Sequence, residues 1–250
     1  MAKLFNAIND LSDGSGSGNL SGFTGGVVII PPGDYDIDPP IFLRGTDATQ
    51  RSNVMIMGFG NATRLNLDGT YASGLFILGG TSSALGGHSV RNLVIDLSPY
   101  VMNGINVNYV TGAHISGVKI LNVSGAYSGV YVGSAAEDTI VSDCRFDNCT
   151  RSIFVYASGT NFASGTLVTG CFIENIPSYA SGSYGIYTHG GDGLVISDCY
   201  IDGQNGDCGI YVVPNTGSPN NVPQMTISGN VISSVDHAIE IYNNKGTTYT

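Results

Sequence analysis

Charged residues are scarce in this sequence. Asp, Glu, Lys and Arg together form 11% of the 250 residues, and only nine residues are Lys or Arg. With 42% hydrophobic residues, this composition disfavours both a disordered chain and a charged helical bundle. A nucleic acid partner is not expected, because phosphates are neutralised by clustered Lys and Arg and the net charge here is −10. An anionic polymer would also meet overall repulsion.

Long apolar runs are missing as well. No stretch approaches the roughly 20 apolar residues of a membrane span, so membrane insertion is not expected. Met1-Ala2-Lys3 leads into a polar segment without the apolar stretch of a signal peptide. We expect a chain that either does not use that export route or has lost its leader.

Glycine, in contrast, is abundant at 36 residues, and a six-residue unit recurs along the chain. The fourth positions of its copies are separated by 25, 26, 27, 28 and 31 residues. A fixed period of this kind predicts a repeat fold. The copies are 90–95, 115–120, 141–146, 168–173, 196–201 and 227–232.

The third position of each unit predicts a bend. It is always Asn, Asp or Gly, the residue types that best tolerate left-handed φ. Apolar residues at the first, fourth and sixth positions then point inward from two short strands on either side of the bend. The third positions are Asn92, Gly117, Asp143, Gly170, Asp198 and Gly229.

A second unit follows each first unit, and its residues alternate between inward and outward positions. Stacking these strands at about 4.8 Å gives a parallel ladder with Ile and Val inside. The copies are 104–107, 129–132, 152–155, 185–188, 209–212 and 238–241, with 74–77 as an earlier copy. The two units together predict an all-β solenoid of parallel strands forming a single domain.

These repeats resemble the pectate-lyase-like superfamily of right-handed parallel β-helices, which includes polysaccharide lyases, polygalacturonases and phage tailspikes. The segments 25–35 and 53–60 also resemble the opening rungs of such proteins, and the resemblance covers about residues 5 to 244. It implies an N-terminal cap and lead-in over residues 1–26, with Phe5, Ile8 and Leu11 spaced for a short helix. The β-helix is then expected over residues 27–250, with its C-terminal end uncapped.

The outward positions of the second unit form an aromatic column, which suits the flat face of a sugar ring. Two other interpretations remain open, namely that loops fold over the column or that a neighbouring subunit covers it. The middle outward positions are Phe76, Asn106, Tyr131, Phe154, Tyr187, Tyr211 and Glu240, and the next are Asn108, Tyr156, His189 and Tyr242. The predicted substrate-binding residues are Tyr131, Arg151, Phe154, Tyr156, Tyr187, His189, Tyr211 and Tyr242.

Metal binding is not expected from the cysteines. Cys144, Cys171 and Cys199 share one inward position, which predicts a stack of buried thiols. No Cys-x-x-Cys pair supplies converging zinc ligands. Asp143 and Asp198 lie at the bend, where a turn function is favoured over chemistry.

Catalytic candidates follow from comparison with the superfamily's motifs. Asp207 and His237 match the acid and histidine positions of polygalacturonases, but Cys208 and Tyr184 occupy the other two acid positions. A lyase would need an Arg or Lys base and acidic residues that hold calcium, and Arg151 and Glu240 lie near the predicted face. Asp207, His237 and Glu240 are therefore the catalytic candidates, and calcium is expected only for a lyase.

The sequence thus predicts a polysaccharide-binding β-helix that acts outside the cell or on a virion surface, and such a chain could also depolymerise its glycan. The alternative is a structural or adhesive subunit whose aromatic face packs on other copies. A homo-oligomer is expected in either case, with a trimer as one candidate state.

Overall fold

The structure is a computed structural model that describes residues 25–37, 41–43, 53–68, 74–79, 85–133, 135–156, 163–179, 182–190, 192–213, 224–243 and 247–249. The predicted N-terminal helix and most of the predicted cap lie outside these residues. The strands are β1 Gly26–Ile29, β2 Gly33–Ile37, β3 Ile41–Leu43, β4 Val54–Met57, β5 Thr63–Leu67, β6 Phe76–Gly79, β7 Leu85–Gly86, β8 Ser89–Arg91, β9 Val94–Asp96, β10 Ile105–Asn108, β11 Val110–Thr111, β12 His114–Ser116, β13 Lys119–Leu121, β14 Val130–Val132, β15 Ile140–Ser142, β16 Arg145–Asp147, β17 Arg151–Tyr156, β18 Leu167–Thr169, β19 Phe172–Glu174, β20 Tyr184–His189, β21 Leu194–Ser197, β22 Tyr200–Val213, β23 Met225–Ser228, β24 Val231–Asn243 and β25 Thr247–Tyr249. One 3-10 turn lies at Gly60–Ala62.

The strands stack into a right-handed parallel β-helix, which confirms the predicted fold. We call the eight-stranded sheet β1-β4-β8-β12-β15-β18-β21-β23 the first face. The second face is β2-β5-β9-β13-β16-β19-β22, and the third face is β3-β6-β10-β14-β17-β20-β22. The second and third faces are continuous because β22 pairs with β19 through Tyr200–Asp202 and with β20 through Cys208–Val213.

The bend between the first and second faces lies where the sequence predicts it. All six predicted positions have positive φ, between 52° at Asn92 and 68° at Gly229. Asn or Asp alternates with Gly from one rung to the next. The Asp143 side chain fills the space beside Gly170, so a Cβ at Gly170 would lie 2.8 Å from Asp143 Oδ1.

The inward columns form one continuous apolar core. Each first unit from residue 90 to residue 201 buries its first, fourth and sixth residues, as predicted, and the fully enclosed Phe146 is the largest of these side chains. Cys144, Cys171 and Cys199 are free and buried at the predicted inward position. Hydrogen bonding to Cys171 and burial raise the pKa of the Cys199 thiol, which keeps that thiol protonated and unreactive.

A second bend, which the sequence analysis did not predict, connects the second and third faces. Asn122, Asn148 and Asn175 have positive φ there. Their amides reach across rungs: Asn122 Nδ2 donates to Asp96 Oδ1 at 2.9 Å, and Asn148 Nδ2 donates to Asn122 Oδ1 at 2.9 Å. These bonds satisfy polar groups between rungs and fix the turn.

The predicted position of Phe76 on the outward column is wrong. Phe76 pairs with Ile105 and is fully buried, so Ile77 lies opposite Asn106. Residues 75–78 are Leu-Phe-Ile-Leu, so no polar residue in this run distinguishes the inward from the outward positions.

The last long strand, β24, pairs with β22 along one edge, and its other edge is partly covered. Strand β25 pairs with it in antiparallel fashion, with Tyr242 opposite Thr248. The sequence analysis did not predict this pairing, and the limits of the predicted domains remain predictions.

Candidate functional site

The outward column of the third face is continuous in register. Asn106 pairs with Tyr131, Tyr131 with Phe154, and Phe154 with Tyr187. Tyr187 pairs with Tyr211, and Tyr211 pairs with Glu240 on β24. The predicted column is therefore confirmed from Asn106 to Glu240, because alternation along each strand turns these side chains away from the core.

The aromatic rings on this column contact one another from rung to rung. Phe154 and Tyr187 stack with centroids 4.4 Å apart and planes within 1°. The Tyr131 and Phe154 centroids are 5.5 Å apart in an edge arrangement, and those of Tyr187 and Tyr211 are 5.3 Å apart. All four side chains are partly exposed. We call Tyr131, Phe154, Tyr156, Tyr184, Tyr187 and Tyr211 the aromatic stripe.

The next outward position widens the stripe. Tyr156 lies 5.5 Å from Phe154 by ring centroid, and His189 stacks on Tyr156 at 5.2 Å. His189 Nδ1 is buried and has no hydrogen-bond partner among the described residues. Tyr242 is 36% exposed on β24, at the far end of the column.

Tyr184 belongs to the stripe although the sequence analysis treated it only as a missing acid. Its ring stacks on Tyr211 at 4.8 Å and lies 5.1 Å from Tyr187. Tyr184 opens β20, directly opposite Arg151 on the preceding rung. The sequence feature that could have identified Tyr184 is the Tyr-x-x-Tyr spacing of residues 184–187. The predicted second unit begins at residue 185 and therefore excludes Tyr184.

Arg151, one of the predicted substrate-binding residues, lies beside the stripe. Its guanidinium carbon is 5.3 Å from the Tyr187 ring centroid, 5.7 Å from that of Phe154 and 5.8 Å from that of Tyr184. Such distances allow cation–π attraction to several rings at once. The Arg151 guanidinium is thereby held against the aromatic rings of the stripe.

The phenols of Tyr131, Tyr187 and Tyr211 remain neutral over the physiological pH range. Burial, with a further contribution from Tyr156, raises the pKa of Tyr131 to about 12. Burial, together with the neighbouring Tyr184 and Glu240, raises the pKa of Tyr211 to about 12. Burial also raises the pKa of Tyr187, against the opposing effect of Arg151. Each hydroxyl can therefore donate a hydrogen bond to a ligand.

The structure describes the side chains of two of the three catalytic candidates, His237 and Glu240. His237 is exposed, Glu240 lies beside Tyr211, and no hydrogen bond between these two is present among the described side chains. The side chain of Asp207 lies outside the described residues. Cys208, at one expected acid position, is a buried thiol that donates to Ile210 O at 3.2 Å.

Two searches of the described residues give negative findings. No group of three or more His, Cys, Asp or Glu side chains is arranged to hold a metal ion. In the part of the chain that the structure describes, no helix has the length and apolarity needed to cross a bilayer.

Comparisons with known proteins identify the fold. Among solved structures, a double mutant of the tailspike protein of E. coli bacteriophage HK620 matches with a TM-score of 0.66 at 16% identity, over 98% of this chain and 44% of that one. A mutant of the same tailspike in complex with a hexasaccharide matches with a TM-score of 0.66 at 16% identity, over 99% and 44%. Geobacillus virus E2 ORF18 matches with a TM-score of 0.50 at 16% identity, over 96% and 57%.

This chain spans less than half the length of the HK620 tailspike chains, and identities this low show a shared fold alone. No curated protein matches the sequence. The family description "Right handed beta helix region" matches residues 103–250, which is more than half of the chain. The chain therefore belongs to the right-handed beta helix family.

Proposed function

We propose that this chain binds an extended carbohydrate along the aromatic stripe of its third face. The observation that carries the proposal is the unbroken contact of partly exposed rings from Tyr131 through Phe154 and Tyr187 to Tyr211. Partly exposed apolar ring faces in contact over four rungs are typical of a surface that binds a partner. The neutral tyrosine hydroxyls at the rims of the rings suit hydrogen bonding to a sugar.

The geometry of the stripe favours a chain that lies along the helix axis. Successive rungs repeat at about 4.8 Å, so the rings offer a regular series of flat contacts to an extended polymer. Similar tailspike structures contain a pentasaccharide or a hexasaccharide, which supports the ligand class. The proposal includes a location outside the cell or on a virion surface, since these matches are phage proteins.

The test is binding of the full chain to a panel of neutral and acidic oligosaccharides. Tyr187→Ala and Tyr211→Ala should each weaken binding by about tenfold or more, because each removes a ring from the contact. The losses should not add in the double variant, since the two rings touch. Tyr200→Ala is the matched control, because Tyr200 is a partly exposed tyrosine on the second face.

Melting temperatures of all variants should stay close to that of the wild type. Failure of the wild type to bind any glycan, or equal effects of Tyr187→Ala and Tyr200→Ala, would contradict the proposal. The same panel tests for cleavage through the release of reducing ends. If the chain cleaves its glycan, Asp207→Asn and His237→Ala should lower turnover while leaving affinity largely intact.

A further inference from the structure

Arg151 lies against aromatic rings and, unlike Arg64 and Arg145, forms no salt bridge with a described residue. Arg64 forms a salt bridge with Asp96, and Arg145 forms one with Glu174 at 2.5 Å. Arg91 Nη2 lies 2.8 Å from His114 Nδ1. Among the described side chains, no carboxylate forms an ion pair with Arg151. Its charge therefore has aromatic neighbours and no compensating anion.

The guanidinium of Arg151 uses few of its donors. Nη1 donates to Ala126 O at 3.0 Å. Nε is buried without a hydrogen-bond partner among the described residues. A guanidinium carries five N–H donors, so this group retains unused capacity at the edge of the stripe. Because three rings and Ala126 already fix its position, little side-chain entropy is lost when it binds a ligand.

We propose that the sugar bound beside Arg151 carries a carboxylate, so that the glycan contains uronic or another acidic sugar. This inference rests on the proposed binding of carbohydrate along the stripe. A planar guanidinium matches a carboxylate through two parallel, charge-assisted N–H···O bonds. Partial removal from water strengthens that pairing relative to one in open solvent.

The net charge of −10 does not contradict this inference. At physiological salt, charges more than about 8 Å apart are largely screened when exposed. Glu240 lies three rungs beyond Phe154 along the column, which is roughly 14 Å at the usual strand spacing. Glu240 is therefore largely screened from Arg151, while the overall repulsion affects mainly the rate of encounter.

The experiment compares each acidic oligosaccharide in the panel with the same preparation after its carboxyl groups are reduced to alcohols. Wild type should bind an acidic form at least about tenfold more tightly than its reduced form. Arg151→Met keeps the packing of the stem and should abolish that difference, so that this variant binds the acidic and the reduced form with equal affinity. Arg145→Met is the control, since Arg145 lies on the second face.

The outcomes separate the two proposals. Equal binding of acidic and reduced forms, or a preference that persists in Arg151→Met, overturns the carboxylate inference and leaves carbohydrate binding intact. If no oligosaccharide binds, the proposed function fails, and NMR titration with glucuronate and galacturonate against their neutral methyl glycosides still decides the inference. A saturable shift of the Arg151 guanidinium signals with the uronates alone supports it, and no uronate-specific shift overturns it.

Discussion

Glycine at the bend between the first and second faces is required for two separate reasons. Its φ is positive, which L-residues other than Asn and Asp adopt at a cost. The side chain of the Asn or Asp on the preceding rung also fills the space that a Cβ would occupy, as Asp198 does beside Gly229. Asn or Asp therefore alternates with Gly along the bend. Gly on one rung leaves space for the Asn or Asp side chain of the preceding rung.

The first prediction separates φ from side-chain size. Gly170→Val should lower the free energy of unfolding by more than about 2 kcal/mol, because a β-branched residue is strained at this φ and also meets Asp143. Asp143→Asn should change it little, since Asn tolerates the same φ. Urea denaturation followed by circular dichroism measures both.

A second pair of variants isolates the steric contribution. Gly229→Asn should destabilise the protein even though Asn tolerates the φ of 68°, because a Cβ there would lie 2.5 Å from Asp198 Oδ1. Adding Asp198→Gly should restore most of the lost stability. β23, which Gly229 follows, is the last strand of the first face, so no further described rung of that face lies above it. Equal stability of the single and double variants would refute the steric explanation.

Asp96 gives a prediction about pH at the residue scale. Burial alone would raise the pKa of Asp96, but hydrogen bonds from Asn122, the Ser98 amide and Arg64 together hold it below its ordinary 3.8. A carboxyl with a lowered folded pKa contributes stability above its unfolded pKa and loses it as pH falls through the folded value. The urea midpoint of the wild type should therefore fall as pH drops below about 3.8, and Asp96→Asn should show a shallower fall. Parallel pH profiles would contradict this.

At the scale of the element, the sequence predicts a strand well only where polar and apolar residues alternate. In Gly-Val-Tyr-Val at 129–132, Tyr131 between two valines marks the outward position. The predicted register of this strand is confirmed. The apolar run that includes Phe76 offers no such marker, so its register was wrong by one residue. The contacts of Tyr184 depend on where β17 and β20 begin, and each of these strands begins one residue before the predicted second unit.

The inward column gives the next prediction. Ile210 is fully buried between Ile186 and Ile239 on the adjacent rungs. Ile210→Asp buries an unpaired charge and should cost at least about 3 kcal/mol, which threatens folding of the whole domain. Tyr211→Asp, one residue further along, changes an outward side chain and should melt near the wild-type temperature. Thermal melts of the two soluble fractions test the register, which a cooperatively folded Ile210→Asp variant would contradict.

At the scale of the whole molecule, the third face is not alone in exposing apolar side chains. The third face carries the aromatic stripe. The second face carries a separate column in which Phe172 pairs with Tyr200, and Tyr200 pairs with Val231. Phe172 and Val231 are 54% and 57% exposed. On the third face Phe154 and Tyr187 stack at 4.4 Å beside the Arg151 guanidinium, whereas the second-face rings of Phe172 and Tyr200 are tilted and 6.0 Å apart. We therefore keep the proposed glycan on the third face and expect a protein contact on the second.

The last prediction assigns self-association to the second face. If the 26.0 kDa chain forms the expected homo-oligomer, the double variant Phe172→Glu, Val231→Lys should lower its mass in sedimentation equilibrium, because two charges would enter an apolar contact. That variant should still bind glycan, whereas Tyr187→Ala should lose binding and keep the wild-type mass. The reverse pattern, in which Tyr187→Ala dissociates the oligomer and no glycan binds, would favour a structural or adhesive subunit whose aromatic stripe is a packed seam. Independent effects of the two sets of variants would instead show that binding and assembly occupy separate faces of one β-helix.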